Sequence, residues 1–302
     1  MSSKKSKLLI EYTGYLRDQQ CLSEETILIY KRFVNPFLDY LGKIAQPSQL
    51  YKLSAKTIHD YILATVQPLH RTYKKHLTTS IRSFLRFAHI KGYLNRGLIE
   101  AVPVISIRKL DRLPQNIPWK NIQKLLTLPD RSTHAGRRDF AVLSLLISYG
   151  VRIGQVTTLK LQDISWQEGV INFAASKHGN PLRFPLQKEV ADALLAYIKN
   201  DRMAPKFQEV FLTIKEPMRP LGKNNHYHNI IKKYFLKAGI VSSTYGSRII
   251  RHSFATQLVN QNTSIKTISD LLGHRCIDTT FIYTKVNVVK LRELARDWPE
   301  VL

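Results

Sequence analysis

From Val102 to Trp119 the chain reads VPVISIRKLDRLPQNIPW, with prolines at 103, 114 and 118 and no lasting hydrophobic period. Each proline removes a backbone donor and fixes φ, and it pushes the preceding residue out of the α region. No helix or central strand can run through such a stretch, whereas strong periods lie on both sides. The break divides the 302 residues into two folding units, a number that suits this length. The expected division is a first unit over residues 1–106, a linker over 107–118 and a second unit over 119–302.

Before the break the periods are helical. KLLIEYTGYLRDQQ and TILIYKRFVNPFLDYLG flank CLSEE, in which Ser23 is an N-cap with acids following it. A second helical pair follows: SAKTIHDYILATV from Ser54, then HRTYKKHLTTSIRSFLRFAHIKGYL after Pro68. In the last helix Leu77, Ile81, Phe84, Leu85 and Ala88 make the apolar stripe. Arg71, Lys74, Lys75, Arg82 and Arg86 lie on its other side, and no acid occurs from His70 to Arg96. A solvated basic face and a helix laid along phosphates are the two readings. The uncompensated charge favours phosphates.

After the break WKNIQKLLTL and RRDFAVLSLLISYG read as helices, the second apolar nearly all round and therefore central. VINFAAS and LRFPL read as strands joined by KHGNP, a strong turn, and from Lys188 the pattern returns to helices. The expected class is mainly α, with an α+β second unit built around a small antiparallel sheet.

Lys and Arg number 46 against 22 acids, a formal charge of +24, so the partner is a polyanion: nucleic acid or an acidic membrane surface. Membrane insertion is not expected, because the longest apolar region, FAVLSLLISYGV, suits a buried helix. MSSKKSK has charge but no apolar core behind it, so no signal peptide is expected. The only cysteines, Cys21 and Cys276, lie far apart, which fits a reducing compartment. A bacterial cytoplasm with access to the nucleoid is the expected location, and double-stranded DNA the expected partner. His226 and His228 in NNHYHN lack Cys or acidic company, so no metal or other cofactor is expected.

Several bases and one tyrosine fall near element boundaries. Arg152 follows the apolar helix in YGVRIGQVTTLKLQDI, where a charge must pair or meet a ligand; Asp163 is the nearest acid downstream. Lys177 sits on the turn between the strands. Arg248 and Arg251 in GSRIIRHSFATQLV share a helix face three residues apart and repel unless an anion lies between them. In LLGHRCIDTTFIYTKV, Gly273 caps a helix, His274 stands just beyond it, and Asp278 to Thr280 open a short helix bearing Tyr283.

In this order and spacing these segments resemble the tyrosine recombinases, or phage-type integrases, including the Xer and integron types, over nearly the whole chain. The resemblance implies a C-shaped clamp of a helical core-binding domain and a catalytic domain. It implies that Tyr283 attacks a DNA phosphodiester to leave a 3′-phosphotyrosyl enzyme and a free 5′-hydroxyl. Arg152 and Arg251 would grip the non-bridging oxygens, Lys177 would protonate the departing 5′-oxygen, and His274 would donate to the phosphate. Strand exchange then runs through a Holliday junction in a tetramer of identical or related subunits. The apolar stripe Val288, Leu291, Leu294, Ala295 and Trp298 would pack either on its own domain or on a neighbouring subunit. A type IB topoisomerase shares the chemistry, and a silent DNA-binding subunit is the rival of another class.

Two positions depart from the family. Arg248 holds the place of a histidine in the H-x-x-R pattern, and Gln155 the place of an acid. An arginine cannot act as a base at neutral pH, yet it can donate to a phosphate oxygen. His252 follows Arg251 directly, so it is expected to face another way and not to replace the histidine. Three outcomes are open. Arg248 lowers the tyrosine pKa while water or His274 handles the proton; cleavage is conditional on a partner recombinase; or cleavage is lost and DNA binding kept. The other matched side chains are all present, which favours the first.

Overall fold

A computed structural model describes residues 2–66, 70–94, 97–105, 117–176, 179–203, 206–221, 226–242 and 244–284. The chain separates into two compact units, Met1–Asp111 and Arg112–Leu302.

The first unit is helical: α1 (Ser2–Gly14), α2 (Glu24–Leu41), α3 (Ala55–Val66), α4 (Arg71–Ile90) and the single turn α5 (Gly97–Glu100). Ser23 stands at the N-cap of α2 with extended backbone, and Glu24 and Glu25 follow in the first turn, where the helix dipole favours acids. The Ser54 hydroxyl accepts the Thr57 N–H at 3.2 Å to start α3. Leu77, Ile81, Phe84, Leu85 and Ala88 are all buried, so the stripe read from the sequence is the inward face of α4. Phe84 meets Tyr12 of α1 edge-on at 5.5 Å and Phe37 of α2 at 6.3 Å, and that tie is what joins the three helices.

In the second unit the apolar helix α7 (His134–Tyr149) is the central element, preceded by α6 (Trp119–Lys124) and followed by the short α8 (Ile153–Thr157). Strands β1 (Ile164–Ser165), β2 (Val170–Phe173) and β3 (Leu182–Pro185) form an antiparallel sheet in the order β1-β2-β3. The two expected strands pair with Ile171 opposite Phe184 and Phe173 opposite Leu182. β1 was not anticipated, because two residues are too few to carry a period. Helices α9 (Lys188–Asp201), α10 (His226–Lys237), α11 (Ser247–Asn260), α12 (Ile265–Leu271) and α13 (Asp278–Thr284) complete the unit. A separate apolar cluster of Ala255, Val259, Ile268, Leu272 and Tyr283 ties α11, α12 and α13 together.

Among the described residues no helix is long and apolar enough to cross a membrane. Cys21 and Cys276 are both free and exposed. Residues 107–116 of the expected linker and the Val288–Trp298 stripe lie outside the described residues.

Candidate active site

Helix α7 stops at Gly150, whose φ of +59° is left-handed; a Cβ there would lie 2.3 Å from the Phe254 ring. The chain turns out through buried Val151 and presents Arg152, half-buried, at the N-cap of α8. Gln155 holds that corner from inside. Its Oε1 accepts the Arg152 N–H at 3.1 Å, and its Nε2 donates to the Ala174 carbonyl, just past β2, at 3.0 Å. A carboxylate could make the first bond but not the second, since it has no N–H. Asp163 does not serve Arg152 in the way the sequence allowed: its carboxylate accepts the Lys160 N–H at 2.8 Å, within its own turn.

The turn after β2 and the loop after α12 lie against each other. Gly179 pairs with His274 in an antiparallel bridge, and the Asn180 N–H donates to the Gly273 carbonyl at 3.2 Å. A Cβ on Gly179 would stand 2.5 Å from that carbonyl and 2.8 Å from Arg152 Nη1, so glycine alone fits. Gly273 takes φ +60°, ending α12 and turning the chain into His274. Lys177, on the same turn, lies outside the described residues.

Arg248, Arg251 and His252 all belong to the first turns of α11. The buried Arg251 guanidinium donates through Nη1 to the Gly150 carbonyl at 2.9 Å and through Nη2 to the Leu272 carbonyl at 2.6 Å. Nη2 also lies 3.0 Å from His274 Nε2. Arg152 Nη1 reaches the same Leu272 carbonyl at 3.4 Å. Two guanidiniums therefore converge on one carbonyl, and among the described residues no carboxylate lies within salt-bridge reach of Arg152, Arg248 or Arg251. Burial, and then the charge of Arg152, pushes Arg251 down to about 10; burial lowers Arg152 too. Both stay cationic at neutral pH. Unpaired, half-desolvated like charges of this kind mark a place built for an anion.

His274 is buried and its Nδ1 meets the Thr280 hydroxyl at 2.8 Å. Burial, then Arg251, Arg152 and His252, pushes its pKa down to about 4, so its ring is neutral. Tyr283 on α13 is 2% exposed, with its ring in the apolar cluster. Burial raises its pKa, against the opposing pull of Arg251, Arg248 and Arg152. The phenol is therefore protonated at rest.

His252 corrects the sequence expectation. It faces Tyr283, with Nδ1 2.9 Å from the phenolic oxygen and ring centroids 5.4 Å apart. The Arg248 Nε–H donates to the other ring nitrogen, Nε2, at 3.1 Å. Residue 252 does point away from its neighbour 251, but it stands four residues after 248 and so shares that residue's face. The readable signal was this i, i+4 spacing. Burial, Arg248 and Arg251 push the His252 pKa down to about 4.

The expected phosphate-facing bases lie in the other unit. Arg71, Lys75 and Arg86 are exposed on α4, and Lys74 and Arg82 partly so. Arg82 and Arg86 line a cleft of about 440 Å³ with Gln20, Tyr30, Thr79 and Ser83. The pair His226 and His228 opens α10, and the side chain of His226 lies outside the described residues.

Comparison with known proteins closes on one family. The profile of the phage integrase family matches residues 115–289, and that of the phage integrase N-terminal SAM-like domain matches residues 9–92. The chain is 34% identical over 288 residues to "Putative integrase/recombinase y4rA" of Sinorhizobium fredii, covering 95% of this chain and 70% of that one. It is 27% identical to the tyrosine recombinase XerD of Vibrio vulnificus, covering 90% and 88%. A lambda integrase tetramer bound to a Holliday junction shares the fold, with a TM-score of 0.68 at 14% identity over 98% of this chain and 80% of that one.

Proposed function

The chain belongs to the phage integrase family, whose tyrosine recombinases cut and rejoin DNA strands, and we propose that it is a site-specific recombinase working through a 3′-phosphotyrosyl intermediate. One observation carries this reading. The Tyr283 hydroxyl sits beside a cluster of bases in which Arg152 and Arg251 meet at a single carbonyl, with no acid among the described residues to neutralise them.

Phosphoryl transfer asks a protein chiefly for positioning and for charge to stabilise the equatorial oxygens. Two planar guanidiniums suit this, because each offers parallel donors and neither deprotonates at neutral pH. A phosphate entering the cluster would replace the Leu272 carbonyl as their shared acceptor. Tyr283 then attacks phosphorus and the 5′-oxygen leaves, taking a proton from Lys177. His274, on the loop that meets Gly179 and Asn180, donates to the phosphate once the Arg251 Nη2–H facing its Nε2 has turned to the phosphate and the ring proton sits on Nε2. The phosphotyrosyl ester conserves the energy of the broken bond, so rejoining needs no nucleotide cofactor.

In this reading the first unit is the core-binding domain, residues 107–118 are the linker, and α4 lies along the DNA backbone through Arg71, Lys74, Lys75, Arg82 and Arg86. Copies of this chain or of a related recombinase assemble as a tetramer that passes through a Holliday junction, in a bacterial cytoplasm at the nucleoid. Mobile-element integration and excision, or resolution, is the role that fits.

A nicked suicide duplex carrying the recombination site tests the reading. A covalent protein–DNA adduct on a denaturing gel, lost in Tyr283→Phe, is the expected result. Tight binding without any adduct would make the protein an accessory DNA-binding subunit. Affinity should also fall by about 10³ or more between 50 and 200 mM salt, and a flat response would remove the phosphate role of α4.

A further inference from the structure

The family's histidine is missing at position 248, and the geometry around Tyr283 indicates what stands in for it. Arginine is only a donor, so the Arg248 Nε–H aimed at His252 Nε2 requires a lone pair on that nitrogen. A neutral imidazole has one N–H, which must then sit on Nδ1. Nδ1 lies 2.9 Å from the Tyr283 oxygen, so the bond between them runs from histidine to tyrosine. An oxygen receiving that proton cannot give its own hydrogen to the same nitrogen. The phenolic hydrogen therefore points away from His252, and His252 in this arrangement is not the proton acceptor.

We propose that Arg248 and His252 form a donor relay ending on the nucleophile, in which Arg248 fixes the Nδ1–H tautomer of His252 and His252 holds and stabilises Tyr283 as phenolate. Tyr283 gives its proton to water, the O–H bond breaks with both electrons left on oxygen, and that oxygen forms the bond to phosphorus as the bond from phosphorus to the 5′-oxygen breaks and the 5′-oxygen leaves with its electron pair. The inference rests on the proposed recombinase reading. Three features of the site support it. Protonating His252 would put an N–H against the Arg248 N–H, so the imidazolium that a general base must become is opposed. His252 is also faced by Arg248 and Arg251 from its own helix and by Tyr283 from α13, with no acid among its described partners to stabilise a positive ring. Finally, a buried phenol gains from any N–H that favours its charged form, and this one is aimed from a guanidinium through a polarisable ring.

Two measurements test it. The ¹⁵N shifts of the His252 ring in the DNA-free protein read the tautomer directly and need no cleavage. A protonated Nδ1 and bare Nε2 are expected in the native chain, with Arg248→Met moving the ring toward the Nε2–H form. A native Nε2–H ring would overturn the relay. Cleavage of the nicked suicide duplex then separates donor from base. Asparagine places an amide near the Nδ1 position and cannot take a proton, so His252→Asn should keep adduct formation within about tenfold of native. His252→Asp and His252→Leu, which offer no donor, should lose about 10²–10³-fold. Aspartate outperforming asparagine would make residue 252 a base, and leucine at the native rate would remove it from the reaction. Thermal melts of all three variants separate these outcomes from misfolding. If even the native chain forms no adduct, the recombinase reading fails while the tautomer measurement still stands.

Discussion

Two arginine–histidine–hydroxyl chains leave the same face of α11 and end on the same short helix, yet they are built for different work. In one, Arg251 reaches His274, whose Nδ1 meets Thr280. In the other, Arg248 reaches His252, whose Nδ1 meets Tyr283. The first is buried at every member, and its guanidinium also donates to two backbone carbonyls. The second opens to solvent at Arg248 and ends on the hydroxyl proposed as the nucleophile. Repeated side-chain chemistry thus builds a dry chain fastened to backbone, whose arginine and histidine we propose hold the phosphate, and a wetter one that we propose activates the nucleophile. The difference lies in which hydroxyl is offered and how free the arginine is.

After the outright loss of adducts in Tyr283→Phe, the largest effect should come from breaking the dry chain at its root. Arg251→Lys replaces a planar fork with a point charge that cannot serve two carbonyls and a phosphate together. Single-turnover adduct formation should fall by about 10²–10³-fold, and a loss below tenfold would show that the fork is dispensable.

Gly179→Ala comes next. Its methyl group would enter space held by the Gly273 carbonyl and Arg152, so unfolding free energy should drop by about 1–3 kcal/mol in denaturant titrations. An unchanged midpoint would mean that the turn and the His274 loop do not touch in solution.

Thr280→Val and Tyr283→Phe each remove one hydroxyl from α13 and sharpen the comparison most directly. Thr280→Val leaves the buried His274 Nδ1 without its partner and should cost about 1–3 kcal/mol of stability while adducts still form. Tyr283→Phe should abolish adducts with little change in melting. Loss of adducts in Thr280→Val in a protein of native stability would show that Thr280 sets the His274 ring for the reaction and does not only hold it.

The smallest effect is the onset of acid destabilisation. His252, facing Arg248, Arg251 and Tyr283, and His274, facing Arg251, Arg152 and His252, both have folded values of about 4, below the ordinary 6.5. Between those values the unfolded chain binds more protons, so stability is complete above about pH 6.5 and falls as pH drops toward 4. A lower melting temperature at pH 5.5 than at 6.5 is expected, with a shallower slope in His274→Asn. A flat profile would mean that the two rings are not held neutral by burial.

Much of this was legible before any coordinates. The α4 stripe, the prolines before Trp119, the turn at Gly179 and Asn180 and the cap at Gly273 are local signals, each set by the period or φ preference of a few residues. What escaped reading was of two kinds. The two-residue β1 has no period to find, and its pairing with β2 is decided by neighbours distant in sequence. The role of His252 was missed for a different reason: the adjacent residue was compared, when the relevant neighbour stood one helical turn away.

By itself, then, the sequence determined the helical periods, the small antiparallel sheet of β2 and β3 and the family. These follow from short-range preferences and from the order of chemical groups along the chain. Only the tertiary structure decided that Gln155 holds two backbone groups, that Arg152 and Arg251 share the Leu272 carbonyl, and that Arg248 faces Tyr283 through His252. Each of these depends on which donor finds which acceptor once α11, α12, α13 and the sheet have packed; spacing puts Arg248 and His252 on one helix face, but it does not name the group they meet.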